Sequence, residues 1–145
     1  MTGVSKSLIS VELLVLCDYA LVSQENKLSV MGIFDQIFVE KIPAFHHKMF
    51  AVGIVKGDAN MTYEVSLRIA APDGKEILSS PKLSNKFGDS GRSNLILGLE
   101  NLPLQLIGEY RVELESSGIK LGEMTFKVLR TGGKDEIKRG SKLAD

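Results

Sequence analysis

The sequence predicts an all-β fold: an antiparallel two-sheet β-sandwich of seven to nine strands, in an immunoglobulin-like or related Greek-key order. Three observations carry this expectation. No segment of residues 10–129 holds a helical apolar period for three turns. Short runs of alternating apolar and polar residues recur instead. Turn-forming residues punctuate those runs at intervals suited to short strands. A closed barrel uses the same ingredients and remains the competing architecture.

The first strand spans 12–24, and Glu25-Asn26 turns it into a second at 27–34, a hairpin without the ideal glycine. A short extended piece at 37–39 ends before Pro43, because the residue preceding a proline is held extended. The next strand is 48–56, stopped by Gly57, Asp58 and Asn60. In 62–71, Tyr63, Val65, Leu67 and Ile69 share one face and Thr62, Glu64, Ser66 and Arg68 the other. Pro72-Asp73-Gly74-Lys75 is the strongest turn: proline pre-sets φ, aspartate bonds the backbone, and glycine accepts positive φ. Extended chain resumes at 76–79 and 82–87, and Gly88 to Gly91 turns again.

In 92–100, Leu95, Leu97 and Leu99 share a face. In 109–115, Tyr110, Val112 and Leu114 point inward. After a turn at 116–118, the last strand carries Met124, Phe126 and Val128 inward. Gly108-Glu109-Tyr110 is placed to form a corner in which the tyrosine hydroxyl bonds nearby backbone; a plain core aromatic is the alternative.

The domain is expected to occupy 11–129, with a flexible segment at 1–10 and a flexible, weakly basic tail at 130–145. Across all 145 residues the net charge is zero, which gives no general attraction to nucleic acid or to acidic membranes. No apolar run reaches the ~18 residues of a membrane-spanning helix. Leu13 to Cys17 resembles part of a secretory signal core, but Asp18 interrupts it and no small-residue cleavage site follows. A cytoplasmic protein is expected, and a single cysteine excludes an intrachain disulfide framework.

The early strands carry the main functional clue, because they are apolar on both faces. Leu13, Val15, Cys17, Tyr19 and Leu21 alternate with Leu14, Leu16, Ala20 and Val22, the second set sharing its face with Glu12 and Asp18. Met31 and Ile33 oppose Leu28, Val30 and Phe34, while Ala51, Gly53 and Val55 oppose Phe50, Val52 and Ile54. One face fills the core, and the other is left as a contact surface. The expected occupant is a second copy of the chain, with Leu14, Leu16, Val22, Met31, Ile33 and Val55 as interface residues. A different protein partner, or a loop at 44–49 folded over the face, are the alternatives. Lys27, Lys56 and Lys127 are expected to guard strand edges.

Catalytic and metal-binding patterns are weak. Cys17 sits between Leu16 and Asp18 on a strand, the setting of a small buried hydrophobe. His46 and His47 are adjacent in the connection 43–49, so extended backbone sends them to opposite sides. A surface position is the ordinary reading of both, with pH sensitivity at an interface as the sharper one. Asp35, Asp58, Asp73 and Asp89 lie near strand ends, as turns prefer. Calcium needs several such carboxylates at one end of the molecule. Gly88 to Ser93 is neither a Walker loop nor a dinucleotide fingerprint, and no G-x-S-x-G, H-E-x-x-H or C-x-x-C motif occurs. With no tryptophan, the sequence offers no sugar-stacking platform. No catalytic residue, cofactor, metal, nucleic acid or membrane is expected.

Residues 13–43, LLVLCDYALVSQENKLSVMGIFDQIFVEKIP, resemble an uncharacterised prokaryotic family of unknown function. The shared features are a leucine-rich strand, a Cys-Asp pair, a short turn and a G-[IV]-[FY]-[DE] segment leading to a proline. Pro72-Asp73-Gly74, Asn101-Leu102-Pro103 and Gly108-Glu109-Tyr110 are further similar points, extending the resemblance over 11–129. It implies a small immunoglobulin-like β-sandwich in the cytosol with no established substrate, and it carries over no site residues. Phe34 and Asp35, in the shared segment, are structural or contact candidates. The expectation is a non-enzymatic structural or protein-interaction domain that forms a homodimer. The alternative is a binding module for a small ligand, metal ion or extended peptide, sited at an open sheet edge or at loops around His46, Asp58, Asp73 and Asp89.

Overall fold

A computed structural model of the chain describes residues 9–131. The expected tail beyond 131 and most of the N-terminal segment lie outside the described residues. Ten strands form: β1 (Ser10–Val22), β2 (Leu28–Phe34), β3 (Gln36–Val39), β4 (Ala44–Lys56), β5 (Thr62–Ala70), β6 (Glu76–Ser79), β7 (Leu83–Lys86), β8 (Arg92–Leu104), β9 (Gly108–Ser116) and β10 (Ile119–Arg130). The count exceeds nine because every short extended piece finds a pairing partner.

Two open sheets result, which removes the closed barrel. One has the order β2-β1-β4-β8; the other has β3-β10-β9-β5-β6, with β7 also on β5. All pairs are antiparallel except β3 with β10. The layers form a β-sandwich of immunoglobulin-like, Greek-key character.

The core lies between the layers. Tyr63, Val65, Leu67 and Ile69 of β5 and Tyr110, Val112 and Leu114 of β9 are buried, as their alternation predicts. Across from them, Leu16, Met49, Ala51, Val55 and Leu99 are buried. Tyr110 stacks on Phe126, its cross-strand partner, with ring centroids 5.1 Å apart. Tyr63 stacks on Phe87 at 4.2 Å. Such aromatic pairs each add roughly 0.5–1.5 kcal/mol beyond the area they bury.

The Pro72–Lys75 turn closes as expected. The Lys75 amide donates to Asp73 Oδ1 at 3.0 Å, and Gly74 takes φ 88°.

Two expectations about strand ends are corrected. β4 begins at Ala44, so His46 and His47 lie within a strand rather than in a loop. The segment 44–49 therefore cannot fold over the outer face. β8 likewise runs past Glu100 to Leu104. β4 and β8 pair from Ala44↔Leu104 to Lys56↔Arg92 without a register shift, so each extends the other.

The lysines expected to guard edges do not all reach one. Lys56 lies on β4 and Lys127 on β10, both paired on two sides, and Lys27 lies beside the first hairpin turn.

Candidate functional site

Cross-strand partners share a face, so the registers assign both faces of the four-stranded sheet. Leu16 pairs with Phe34 on one side and Ala51 on the other, and Ala51 pairs with Leu97. This row faces the second sheet. Cys17 pairs with Ile33 and Phe50, while Val15 pairs with Val52, which pairs with Ile96. These rows face away from it. Cys17, Ala20 and Val52 form a small buried cluster, packed by Val15, Phe50 and Ile96 with Leu28 and Val30. Tyr19 meets the Phe50 ring edge-on at 5.8 Å, and the Lys48 ammonium lies 5.5 Å from that ring's centre.

The expected interface residues divide between the two sides. Met31 and Ile33 are 57% and 61% exposed, and Val22 is also exposed. Leu16 and Val55 are completely buried in the inter-sheet core, and half-buried Leu14 packs against that core. Those three are removed from the interface. Alternation separates two faces, but only the packing of the second sheet shows which one is inside.

Glu12 and Asp18 had marked the wrong face as the outer one. Glu12 sits at a β-bulge between Val11 and Leu13, which offsets its side chain from the run that follows. Arg92 donates to its carboxylate at 2.9 and 3.3 Å, and Lys56 lies 3.5 Å away. Arg92 holds the Glu12 carboxyl below its usual pKa. Asp18 lies opposite Gly32, where regular pairing lapses and φ is 73°. A Cβ at Gly32 would stand 2.5 Å from Asp18 Oδ2, so glycine is needed there.

Residues that sequence reasoning assigned to a face but not to the site are Val15, Tyr19 and Phe50. Their signal was present in the sequence as the alternation of Val15, Cys17 and Tyr19. Beside them, a groove of about 350 Å³ is lined by Val15, Ile33, Phe34, Asp35 and Met124. Asp35 is exposed at the rim of this groove, while Phe34 belongs to the row that packs against the inter-sheet core.

The cluster of loops around His46, Asp58, Asp73 and Asp89 does not form. Strand directions put the Asp73 turn and His46 at one end of the sandwich. Asp58 and Asp89 lie at the other, where Gly57 donates to the Gly91 carbonyl at 2.8 Å. Among the described residues, no three of His, Cys, Asp or Glu gather in a group able to hold a metal. No helix among them is long and apolar enough to cross a membrane.

His46 is half-buried beside the Phe34 ring, with centroids 5.8 Å apart, and its Nε2 has no hydrogen-bond partner. Burial holds its pKa below the ordinary value, opposed in part by Asp18. Burial raises the pKa of the Cys17 thiol, which has no solvent exposure, and this suppresses the reactive thiolate.

No curated protein sequence matches the chain. Solved structures align with it at low identity. A Pseudomonas fluorescens alkylpurine DNA glycosylase, bound to DNA containing an abasic-site analog, aligns with TM-score 0.50 and 11% identity, covering 83% of this chain and 30% of that one. A Bifidobacterium adolescentis GH3 β-glucosidase aligns with TM-score 0.50 and 11% identity, covering 94% and 21%. An immunoglobulin-like protein from Pseudomonas aeruginosa aligns with TM-score 0.45 and 14% identity, covering 83% and 95%. The chain spans less than a third of the length of the glycosylase and of the glucosidase. Over residues 12–129 the sequence matches the family of unknown function DUF6941, and the chain belongs to that family.

Proposed function

We propose that this protein is a non-enzymatic interaction domain that associates with a second copy of itself through the outer face of the β2-β1-β4-β8 sheet. The observation that carries this reading is the run of Met31, Ile33 and Tyr19 beside Phe50 and the buried Cys17–Val52 cluster. Tyr19, Met31 and Ile33 are all exposed, although they border side chains that have no solvent exposure. An apolar patch that includes aromatic side chains, with polar residues around it, is the usual anatomy of a protein contact. Lys48, Glu100 and the Glu12–Arg92–Lys56 group supply polar residues on the same sheet.

The non-enzymatic part draws support from the inert setting of Cys17 and from the separation of the loop carboxylates. The glycosylase and glucosidase contain this fold within much longer chains, so their activities are not carried over. Replacing exposed Ile33 by glutamate and measuring mass in solution tests the proposal.

A further inference from the structure

The sheet that carries β5 and β9 does not close along its whole length. Toward the start of β5, the last pair between these strands is Ser66↔Glu115. β9 ends one residue later, and Ser117 and Gly118, at φ 51° and 80°, turn the chain into β10. β5 begins earlier, at Thr62, and from Thr62 to Val65 it pairs with β7 alone. A gap is left between the start of β5 and the β9–β10 turn.

The backbone of β5 is aimed into that gap. The Phe87 amide donates to the Met61 carbonyl at 2.9 Å, which sets the Met61 backbone toward β7. Backbone groups alternate between the two sides of a strand, so Tyr63 and Val65 also turn toward β7. Thr62 and Glu64 therefore direct their amides and carbonyls to the other side.

A cavity of about 510 Å³ occupies the gap. Its apolar walls include Ile9, Phe87 and Leu121, the last at the β10 bulge. Met61 and Ile119 line it as well, and both are exposed. Ser116 lines it as the end of the buried row Tyr110, Val112 and Leu114. Only 8% exposed, it brings a hydroxyl to a row that is otherwise core, and no group among the described residues bonds that hydroxyl. An apolar enclosure of this size with a few polar groups is the usual form of a small-molecule site.

The charges select the ligand class. Asp58 and Glu64 line the cavity, and neither has an ion-pair partner among the described residues. Lys120, the basic residue of the described lining, is held by Glu123 at 2.6 Å. The lining thus favours a cation over an anion. Carbonyls of Thr62 and Glu64 add acceptors for its N–H groups.

We propose that this cavity binds a small amphipathic amine. The hydrocarbon body lies against Ile9, Phe87 and Leu121, and the ammonium lies toward Asp58 and Glu64. The site is in the opposite sheet from Tyr19, Met31 and Ile33, so it does not depend on self-association.

The test is titration of the full chain at low ionic strength with 4-phenylbutylamine and with 4-phenylbutanoate, which share one apolar body and differ in charge. Amide shifts in two-dimensional NMR locate the binding. The amine is expected to bind at least about tenfold more tightly than the carboxylate and to move the Thr62, Glu64 and Ser117 amides first. Asp58→Asn with Glu64→Gln, both at exposed positions, is expected to remove that preference without unfolding the chain. Equal binding of the two probes, shifts centred elsewhere, or no saturation by about 10 mM amine overturns the proposal. A preference for the amine that survives the double substitution overturns it too. The outer-face reading is scored separately, by solution mass.

Discussion

The Tyr110 hydroxyl donates a 2.7 Å hydrogen bond to the Leu106 carbonyl and accepts one from the Leu106 amide at 3.2 Å. One completely buried side chain thereby satisfies both backbone groups of a residue in the β8–β9 connection. This is the corner that Gly108-Glu109-Tyr110 predicts, and it fixes the point where the chain passes from one sheet to the other. Tyr110→Phe keeps the ring stack with Phe126 and leaves the Leu106 groups without this partner. It is expected to cost about 1–3 kcal/mol in denaturant unfolding. A cost near zero would show that the hydroxyl does not hold the corner.

Tyr63 shows the opposite case. Its hydroxyl is buried without a hydrogen-bond partner of good geometry, and its pKa is raised by burial, opposed in part by the nearby Ser93 side chain. Tyr63→Phe retains the ring against Phe87 and removes the unsatisfied group. Stability is expected to be unchanged or to rise by up to about 1 kcal/mol. A loss greater than that in thermal unfolding would show that the hydroxyl has a partner, with Ser93 the first place to look.

Gly57 is set by packing. A Cβ there would lie 2.4 Å from the Phe87 ring. Gly57→Ala forces the ring off Tyr63 and is expected to destabilise the fold by roughly 1–3 kcal/mol. Unchanged unfolding would mean that the loop yields instead of the ring.

His46 sets a pH dependence. Its pKa in the folded chain is lowered from 6.5 by burial, so the unfolded chain binds its proton more readily. The stability contribution is fully present above the unfolded pKa and is lost as pH falls through it toward the folded value. Asp18 attracts the proton and His47 repels it, and the net direction is downward. Unfolding measured from pH 7.5 to 5 is expected to show a loss that His46→Phe largely removes. An identical slope in both proteins would assign it to other groups.

The second sheet was legible in sequence because its strands alternate between water and core. Tyr63, Val65, Leu67 and Ile69 appear in the structure where their spacing puts them. The first sheet was only partly legible. Its strands are apolar on both sides, and the charges that seemed to mark the outside, Glu12 and Asp18, sit at a bulge and at a lapse in pairing. A similar lapse opposite His47, at Asn101 with φ 54°, shifts burial on β8 from Leu99 to Leu102 and Leu104. A positive φ at an asparagine cannot be placed by alternation alone. The place of β8 at a sheet edge was illegible for a different reason: strand order depends on long-range pairing that local patterns do not specify.

The most direct test of outer-face association is solution mass over a concentration series, by light scattering after size exclusion, for the native chain and Ile33→Glu. Ile33 is exposed, so the substitution is expected to leave thermal stability within about 0.5 kcal/mol. Leu16→Lys would not serve, because that residue lies in the core and a buried charge there would destabilise the fold itself. The native chain is predicted to run at a multiple of 15.8 kDa, and Ile33→Glu at half the native mass. A native chain that stays at 15.8 kDa into the high micromolar range, or a folded variant with unchanged mass, would contradict the account.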